Sequence, residues 1–297
     1  MGNGGMLSQV IPKNLTKNVN DNGKKLRSSV KKNILTKSIS LLFLIALPFA
    51  AGLMTGKLRG IPFIMTRGEY SIGIYVGDSP FDLKPHSEAV NPVITARDVT
   101  DIPADFVADP FLIQENGSWY MFFEIFNSST DQGDIGLAVS TDGKIWDYDR
   151  VVLNESFHLS YPYIFKWEGD YYMIPESKEA FSVNLYKAEQ FPYAWKQVRT
   201  LLKGNYSDPS IIHYNDRWWI FVAERNDILR LFYSGSLEGD WTEHPQSPVV
   251  LHNLRIARPS GRVIDLGDTL VRFTQDCEQV YGEKVNAFMI TELTPET

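Results

Sequence analysis

Acidic residues recur at similar distances from a series of X-Pro pairs in this sequence. The pairs open at Asp109, Tyr161, Asp208 and Arg258, and an acid follows 15 to 18 residues later, at Glu124, Glu176, Glu224 and Asp276. Carboxylates accept hydrogen bonds from hydroxyl groups, and glycoside hydrolysis uses two of them about 5–9.5 Å apart. The candidate catalytic residues are therefore Asp109, Glu176 and Asp208. The candidate ligand-binding residues are Glu124, His158, Tyr161, Glu224, Arg258 and Asp276, and no metal ligand is assigned.

The X-Pro pairs open a repeat of about fifty residues. They lie 52, 47 and 50 residues apart, and each of the first three units has two aromatic or β-branched runs, a third run and then a tryptophan, at Trp146, Trp195 and Trp241. A period of this length with four strands per unit is typical of a β-propeller. Helical periodicity is nearly absent after residue 69. We predict an all-β protein in which residues 69–297 form a five-bladed β-propeller.

A partial repeat precedes the first full unit. Residues 72–83 are similar to residues 135–146, the third and fourth strands of the first unit, and they would form the outer half of a fifth blade. Seven residues follow the run 285–290, so the inner strands of that blade are missing from this sequence. We expect the last blade to be incomplete because the sequence is truncated. An open ring and a partner that supplies the strands are the alternatives.

The topology of a propeller brings the candidate residues together. The first strand of each blade lines the axis and the second runs back antiparallel to it. The start of the first strand and the end of the second therefore lie on the same face of the propeller. Asp109, Glu124 and His158 then lie near one end of the axis, and Glu224 joins them if it turns inward. The alternative is that the acids cap turns and pair with arginines across blades. No phosphate-binding or zinc-binding motif is present, so we expect no cofactor. A structural cation at the propeller axis is the alternative.

The net charge of −7 is unevenly distributed. Residues 1–37 contain eight basic residues and one acid and carry +7, which leaves −14 on the remaining 260 residues. A domain this acidic repels phosphate backbones, so nucleic acid is excluded as its main partner. The single cysteine, Cys277, excludes an internal disulfide and a multi-cysteine zinc site.

A membrane segment explains the basic arm. Residues 38–56 are uncharged and would span about 28 Å as a helix, close to the thickness of a hydrocarbon core. The basic flank predicts a cytoplasmic N-terminus. We predict a single-pass membrane protein with a disordered basic tail at 1–37, a transmembrane signal anchor at 38–56 and a stem at 57–68. A cleaved signal peptide is the alternative.

The predicted topology places the propeller in the Golgi or secretory lumen or outside the cell. Four Asn-X-Ser triplets, at Asn116, Asn127, Asn154 and Asn205, fit a glycoprotein surface.

Several longer motifs carry a resemblance to a known family. They are Ala108–Phe111, Phe157–Pro162, Ile174–Ser177, Ala257–Arg262 and Gln275–Cys277. These motifs resemble the N-terminal domain of plant glucosamine inositolphosphorylceramide transferase and its microbial relatives, over about residues 69–297. More distantly, the chain is similar to the five-bladed propellers of arabinanase, xylosidase and invertase-like enzymes. The plant transferase also has a C-terminal glycosyltransferase domain, which is absent here, so the resemblance implies a separate glycosyltransferase as partner.

The resemblance also implies roles for individual residues. In arabinanase-like propellers the catalytic base and a second, pKa-tuning acid open blades one and three, which matches Asp109 and Asp208. The general acid opens blade four, where this sequence has Arg258. A guanidinium stays charged and cannot act as the acid.

Two hypotheses for function follow. The first is a membrane-anchored propeller that binds a glycan or glycolipid headgroup and assists glycoconjugate assembly of the glycosylinositol phosphorylceramide type. The second is a glycoside hydrolase-like enzyme that uses a rearranged carboxylate pair, such as Asp109 as base with Glu176 or Glu224 as acid. Whether the chain is an enzyme is left open at this stage.

Overall fold

Short antiparallel strands build the part of the chain that the computed structural model describes, which is residues 70–267, 269–282 and 284–297. The strands are β1 (Tyr75–Val76), β2 (Lys84–Pro85), β3 (Ala104–Glu115), β4 (Ser118–Asn127), β5 (Gln132–Ser140), β6 (Asp147–Leu153), β7 (Ser160–Trp167), β8 (Asp170–Glu176), β9 (Ser182–Gln190), β10 (Ala194–Lys203), β11 (Ser207–Tyr214), β12 (Arg217–Glu224), β13 (Ile228–Ser234), β14 (Thr242–Glu243), β15 (Ile264–Asp265), β16 (Leu270–Asp276) and β17 (Lys284–Ile290). Two single-turn 3-10 helices, Ala96–Asp98 and Lys178–Ala180, lie in loops.

The predicted tail, membrane anchor and stem lie outside the described residues. Within the described ranges, no helix has the length and apolar character needed to cross a membrane.

Four sheets form the blades of a β-propeller. Strands β3–β6, β7–β10 and β11–β14 form four-stranded sheets in chain order, and β15–β17 form a three-stranded sheet. The first strands of the first three blades contact one another in sequence, β3 with β7 and β7 with β11, so they are the inner strands. The all-β propeller prediction is confirmed.

The two ends of the predicted ring are less regular than the sequence suggests. The fourth unit does not begin as a continuous strand at Arg258. Instead Pro259 forms an isolated bridge with Thr274, and the strand β15 starts only at Ile264. The backbone breaks at Gly261, whose φ of 101° is in the left-handed region. Where the sequence predicted half a blade over residues 72–83, the described residues form a two-stranded sheet of the two-residue strands β1 and β2. Four blades are found in the described part of the chain, and the predicted fifth blade stays a prediction.

Matching turns connect the first and second strands of the first three blades. The turn residues are Asn116-Gly117, Glu168-Gly169 and Asn215-Asp216, and all six have positive φ. Two-residue hairpins with positive φ at both positions twist in the same sense as the strands they join, which is why Asn, Asp and Gly are favoured there. These turns fix the register in which the second strand of each blade pairs with the first.

The repeated tryptophans close the loop before the fourth strand. The indole Nε1 atoms of Trp146, Trp195 and Trp241 donate to the carbonyl oxygens of Gly143, Pro192 and Leu237 at 3.2, 2.9 and 3.3 Å. The acceptor lies three residues before the tryptophan in the first two blades and four residues before it in the third. The tryptophan repeat is therefore a loop-closing device that also packs against the core.

Arg262, from the fourth blade, fills the channel between the inner strands. Its Nη2 donates to the carbonyl oxygens of Leu112 at 3.1 Å and Ile164 at 2.6 Å. The guanidinium also lies over the rings of Phe111 and Tyr163, with 5.5 and 4.8 Å to the ring centroids. One side chain therefore joins blade four to blades one and two.

The substitution Arg262→Met should lower the free energy of unfolding by about 2–4 kcal/mol, because two carbonyls lose a charged donor and two rings lose a cation. Urea denaturation of the purified chain measures this. Arg199→Met is the matched control, since Arg199 makes an exposed pair with Asp240 at 3.0 Å and should cost less than about 1 kcal/mol. Equal effects from the two variants would show that Arg262 does not hold the blades together.

Candidate functional site

Three of the predicted site residues share an unusual backbone conformation. Asp109, Tyr161 and Asp208 have φ values of 52°, 48° and 51°, and each stands directly before a proline on an inner strand. At each position the ladder is interrupted by a β-bulge, so that two inner-strand residues oppose one residue of the second strand. A non-glycine residue in the left-handed region is strained, and such strain is concentrated at functional sites. The bulges place the three side chains at the same end of the axis.

Arg258 lies buried between two acids from neighbouring blades. Its Nε and Nη2 donate to both carboxylate oxygens of Asp208, with Nη2 at 3.2 Å from Oδ1, and Nη2 is 3.8 Å from Oε2 of Glu176. Nη1 donates to Asn226 at 3.0 Å, and Gln275 adds a donor to Asp208 at 2.9 Å. Charges can be buried at tolerable cost only when they are paired this completely. Arg258 is therefore a counter-ion to the acids rather than an exposed ligand-binding group.

Glu176 is held by a second cation as well. Lys178 Nζ is 2.8 Å from Glu176 Oε1, and the backbone N–H of Asp208 donates to Oε2 at 3.1 Å. Burial alone would raise the pKa of Glu176, but Lys178 and Arg258 outweigh it, so the pKa is lowered. Burial raises the pKa of Asp208, and Arg258 opposes that rise. Both acids are engaged by protein groups.

Asp109 and Glu124 are arranged differently, because both line an open pocket. Burial, followed by the charge of Glu176, raises the pKa of Asp109 to about 6, against the opposing effect of Arg258. Burial, followed by the charge of Asp109, raises the pKa of Glu124 well above its usual value. Both carboxyls at the pocket thus bind a proton more tightly than a free acid does.

His158 supports Glu124 from the side. The backbone N–H of Gly133 donates to His158 Nδ1 at 2.9 Å, so the neutral ring carries its hydrogen on Nε2, which lies 3.5 Å from Glu124 Oε1. Glu179 accepts from the His158 backbone N–H at 2.9 Å. Burial lowers the pKa of His158. The predicted ligand-binding histidine is thus placed behind the acid, as a group that orients it.

The pocket has a volume of about 380 Å³, within the usual range for small-molecule sites. Beside the two acids it is lined by rings and turn residues, among them Tyr70, Phe106, Tyr161, Gln275 and Tyr281. The Tyr161 hydroxyl is already bonded to Ser210 at 2.8 Å and to the Gly261 carbonyl at 3.0 Å. A ligand would therefore meet the Tyr161 ring but not its hydroxyl.

Two predicted residues do not join the site as expected. In the first two blades the residue before the bulge pairs with an acid, Ala108 with Glu124 and Ser160 with Glu176. In the third blade Ser207 pairs with Ala223, so Glu224 lies one residue beyond the equivalent position. Successive strand residues face opposite sides, and the Glu224 carboxylate pairs with Arg230 instead.

Asp276 is buried at the end of β16, where its Oδ1 accepts from the Glu278 backbone N–H at 3.1 Å. Asp276 therefore caps a turn, which is the alternative that the sequence left open for the acids. Among the residues that the structure describes, no group of three or more His, Cys, Asp or Glu side chains is arranged to hold a metal ion.

The Asp109 carboxyl gives a pH-dependent stability that can be measured. Its pKa is about 6 in the folded chain against 3.8 as the reference value, so its contribution to stability is fully present below about pH 4 and is lost as pH rises through 6. Asp109→Asn removes this dependence. The unfolding free energy of the variant relative to wild type should rise by about 2 kcal/mol between pH 4.5 and 7.5.

Urea denaturation at the two pH values measures this difference. Asp142→Asn is the control, because backbone N–H groups of Ile145 and Lys144 lower the pKa of the exposed Asp142, which leaves it ionised throughout the range. An Asp109→Asn difference that does not change with pH would mean that Asp109 titrates like an exposed acid.

Comparison with known proteins assigns the family. The model of the glucosamine inositolphosphorylceramide transferase 1 N-terminal region matches residues 65–297. The chain is 38% identical over 252 residues to glucosamine inositolphosphorylceramide transferase 1 of Oryza sativa subsp. japonica, with 77% of this chain and 34% of that protein covered. The protein of the same name from Arabidopsis thaliana matches at 38% identity over 77% of this chain and 33% of its own length. The chain spans about a third of the length of these relatives.

Solved structures share the fold at low sequence identity. An exo-β-1,3-galactanase from Phanerochaete chrysosporium, solved with galactose, aligns with a TM-score of 0.61 at 13% identity, over 74% of this chain and 54% of that one. The β-xylosidase RS223 aligns with a TM-score of 0.55 at 14% identity, over 72% of this chain and 79% of that one. These matches show the propeller fold, and the sequence match shows that the chain belongs to the family of the glucosamine inositolphosphorylceramide transferase 1 N-terminal region.

Proposed function

We propose that the propeller binds a glycan or glycolipid headgroup in the pocket beside Asp109 and Glu124, as part of glycosphingolipid synthesis. Family membership supports the role in glycolipid assembly, because the relatives are named as inositolphosphorylceramide transferases. The chain spans about a third of the length of those proteins. We assign binding, and not sugar transfer, to the propeller, and we propose a glycosyltransferase as its partner.

The observation that carries the proposal is that two carboxyls and several aromatic rings line one pocket. Carboxylate oxygens accept from sugar hydroxyls, and ring faces pack against the C–H faces of a pyranose. Asp109 and Glu124 supply the first contact type, and Tyr70, Phe106 and Tyr281 supply the second. Pockets that combine apolar rings with a few polar groups are the usual form of a small-molecule site.

The same geometry argues against the hydrolase with Glu176 as its acid. Glu176 is 1% exposed and paired with Lys178 and Arg258, so it has no proton to give at neutral pH. Glu224 lies outside the cluster. One hydrolytic alternative keeps support, with Asp109 as base and Glu124 as acid, because burial keeps Glu124 protonated to higher pH than a normal glutamate.

The binding proposal predicts that Asp109→Asn and Glu124→Gln each weaken binding about tenfold or more, since each replaces one buried carboxyl oxygen, which accepts from hydroxyl groups, with an amide NH2 that cannot accept. The measurement uses the full chain on a glycan array and on vesicles that contain inositol phosphorylceramide. Glu224→Gln is the control, because its carboxylate pairs with Arg230 outside the pocket.

Unchanged binding by both pocket variants would overturn the proposal. Hydrolysis of aryl glycosides or oligosaccharides by the wild-type chain, lost in both variants, would instead establish the hydrolytic alternative.

The proposal includes attachment to a membrane through residues 38–56, with the propeller in the secretory lumen or outside the cell. The charge of the N-terminal arm supports this orientation. The Asn-X-Ser triplets differ in accessibility. Asn116 and Asn205 are exposed, whereas Asn127 is 5% exposed and its amide donates to Asp134 at 3.0 Å.

Expression in a eukaryotic secretory host should therefore place glycans on Asn116 and Asn205 and none on Asn127. Peptide mass spectrometry after enzymatic deglycosylation locates the modified residues. The variants Asn116→Gln and Asn205→Gln should each increase gel mobility, and Asn127→Gln should leave it unchanged. Absence of any glycan on the chain would contradict the lumenal orientation.

A further inference from the structure

Tyr281 stands out as an aromatic side chain that is exposed directly above the buried charges. It lies in the hairpin between β16 and β17, ahead of Gly282, whose φ of 67° makes the turn. The residue is 50% exposed and lines the pocket. A large ring left half in water at a pocket mouth gains contact area when a ligand covers it.

One face of the ring is fixed by the protein. The Arg258 guanidinium carbon lies 4.9 Å from the Tyr281 ring centroid, a cation–π geometry. Arg258 is in turn held by Asp208, Glu176 and Asn226. The ring is thus supported by an anchored cation, and its position does not depend on a ligand.

The Tyr281 phenol interacts electrostatically with the acids of the site. Burial raises the pKa of the Tyr281 phenol, and the charges of Asp208, Asp109 and Glu176 add to that rise while Arg258 opposes it. The phenol therefore stays protonated and neutral. Tyr281 and Asp109 line the same pocket, so one ligand can contact both.

A second aromatic wall lies on the blade-one side of the pocket. Tyr70 is 47% exposed and meets Phe106 edge to face at 5.4 Å between centroids, and Phe106 stacks on Phe126 at 5.0 Å. Both Tyr70 and Phe106 line the pocket with Tyr281. The two acids therefore share the pocket with the rings of Tyr70, Phe106 and Tyr281.

We infer that Tyr281 is the stacking platform of the pocket and that it selects ligands with a flat pyranose C–H face, such as β-gluco- or β-galacto-configured sugars, over flexible polyols. This inference rests on the proposed glycan-binding function and assigns its ligand class. The pyranose face packs on the exposed side of the Tyr281 ring, and hydroxyls at the sugar edge donate to Asp109 and Glu124. Two rigid surfaces meet, so little conformational entropy is lost.

The test compares Tyr281→Ala with Tyr281→Phe in the full chain, by NMR titration with methyl β-glucoside, methyl β-galactoside and sorbitol. Tyr281→Ala should weaken binding of both glycosides about tenfold, the effect of losing roughly 50 Å² of apolar contact. Tyr281→Phe should bind within about threefold of wild type, because the ring makes the contact. Sorbitol should bind at least tenfold more weakly than the glycosides to wild type.

Tyr75→Ala is the matched control, since Tyr75 is 56% exposed in β1 and does not line the pocket. It should bind like wild type. Thermal unfolding of each variant establishes that the fold is retained, and Tyr281→Phe keeps the ring over Arg258 should Tyr281→Ala prove unstable.

The outcomes separate this inference from the function it rests on. Wild-type binding that is lost in Asp109→Asn but kept in Tyr281→Ala would overturn the platform and leave the glycan site standing. Equal losses in Tyr281→Phe and Tyr281→Ala would show that the hydroxyl makes the contact, which also overturns it. Glycoside binding that is absent from the wild-type chain would count against the proposed function itself.

Discussion

The buried pairing of Arg258 with Asp208 and Glu176 is the interaction on which the site depends. The three residues come from blades four, three and two, and all are nearly inaccessible to water. Burying a single charge costs several kcal/mol, and the penalty is offset only when every partner is in place. The arginine therefore ties three blades together at one end of the axis. Because Arg258 pairs with both Asp208 and Glu176, it also determines which carboxyl groups remain available to a ligand.

The acids of the site differ in the charges that surround them. Glu176 has Lys178 and Arg258 beside it, whereas Glu124 has the neutral His158 beside it, with Asp109, Glu176 and Asp208 adding negative charge. The pocket thus holds acids that stay protonated to higher pH than usual, and a protonated carboxyl can donate as well as accept hydrogen bonds. Sugar hydroxyls need both kinds of partner, which is why we propose a neutral glycan rather than a hard cation as the ligand.

Much of the fold was predictable from local sequence, because its signals are short-range. The hairpin residues, such as Asn116 with Gly117, and the repeated tryptophans specify turns within each blade, and the fifteen-residue spacing from Asp109 to Glu124 correctly placed the first acid beside its bulge. The same spacing from Asp208 leads to Ala223. Glu224 is one residue too far, and a shift of one residue along a strand exchanges its two faces.

The interactions that cross the ring were not predictable in the same way. Arg262 reaches carbonyls 98 and 150 residues away, and the contact between Tyr281 and Arg258 depends on how a turn folds over the axis. No local pattern encodes such contacts. For Arg258, its place at the start of the fourth repeat suggested a ligand-binding residue, with pairing to acids across blades as the alternative. Its buried contacts with Asp208 and Glu176 show that pairing.

The three bulges show how a repeat yields a single site. In each bulge the residue before a proline has a left-handed backbone conformation, so the backbone places three side chains at equivalent positions. Their environments then differ. The Asp208 carboxylate is neutralised by arginine, the Tyr161 hydroxyl is tied to Ser210 and Gly261, and the Asp109 carboxyl faces the pocket. The repeat gives the three positions the same backbone geometry, and the different residues at and around them give each position a different chemical environment. Because Arg258 pairs with Asp208 and Glu176, the acids that line the pocket are Asp109 and Glu124, beside the rings of Tyr70, Phe106 and Tyr281, and this combination is the basis of the proposed glycan binding.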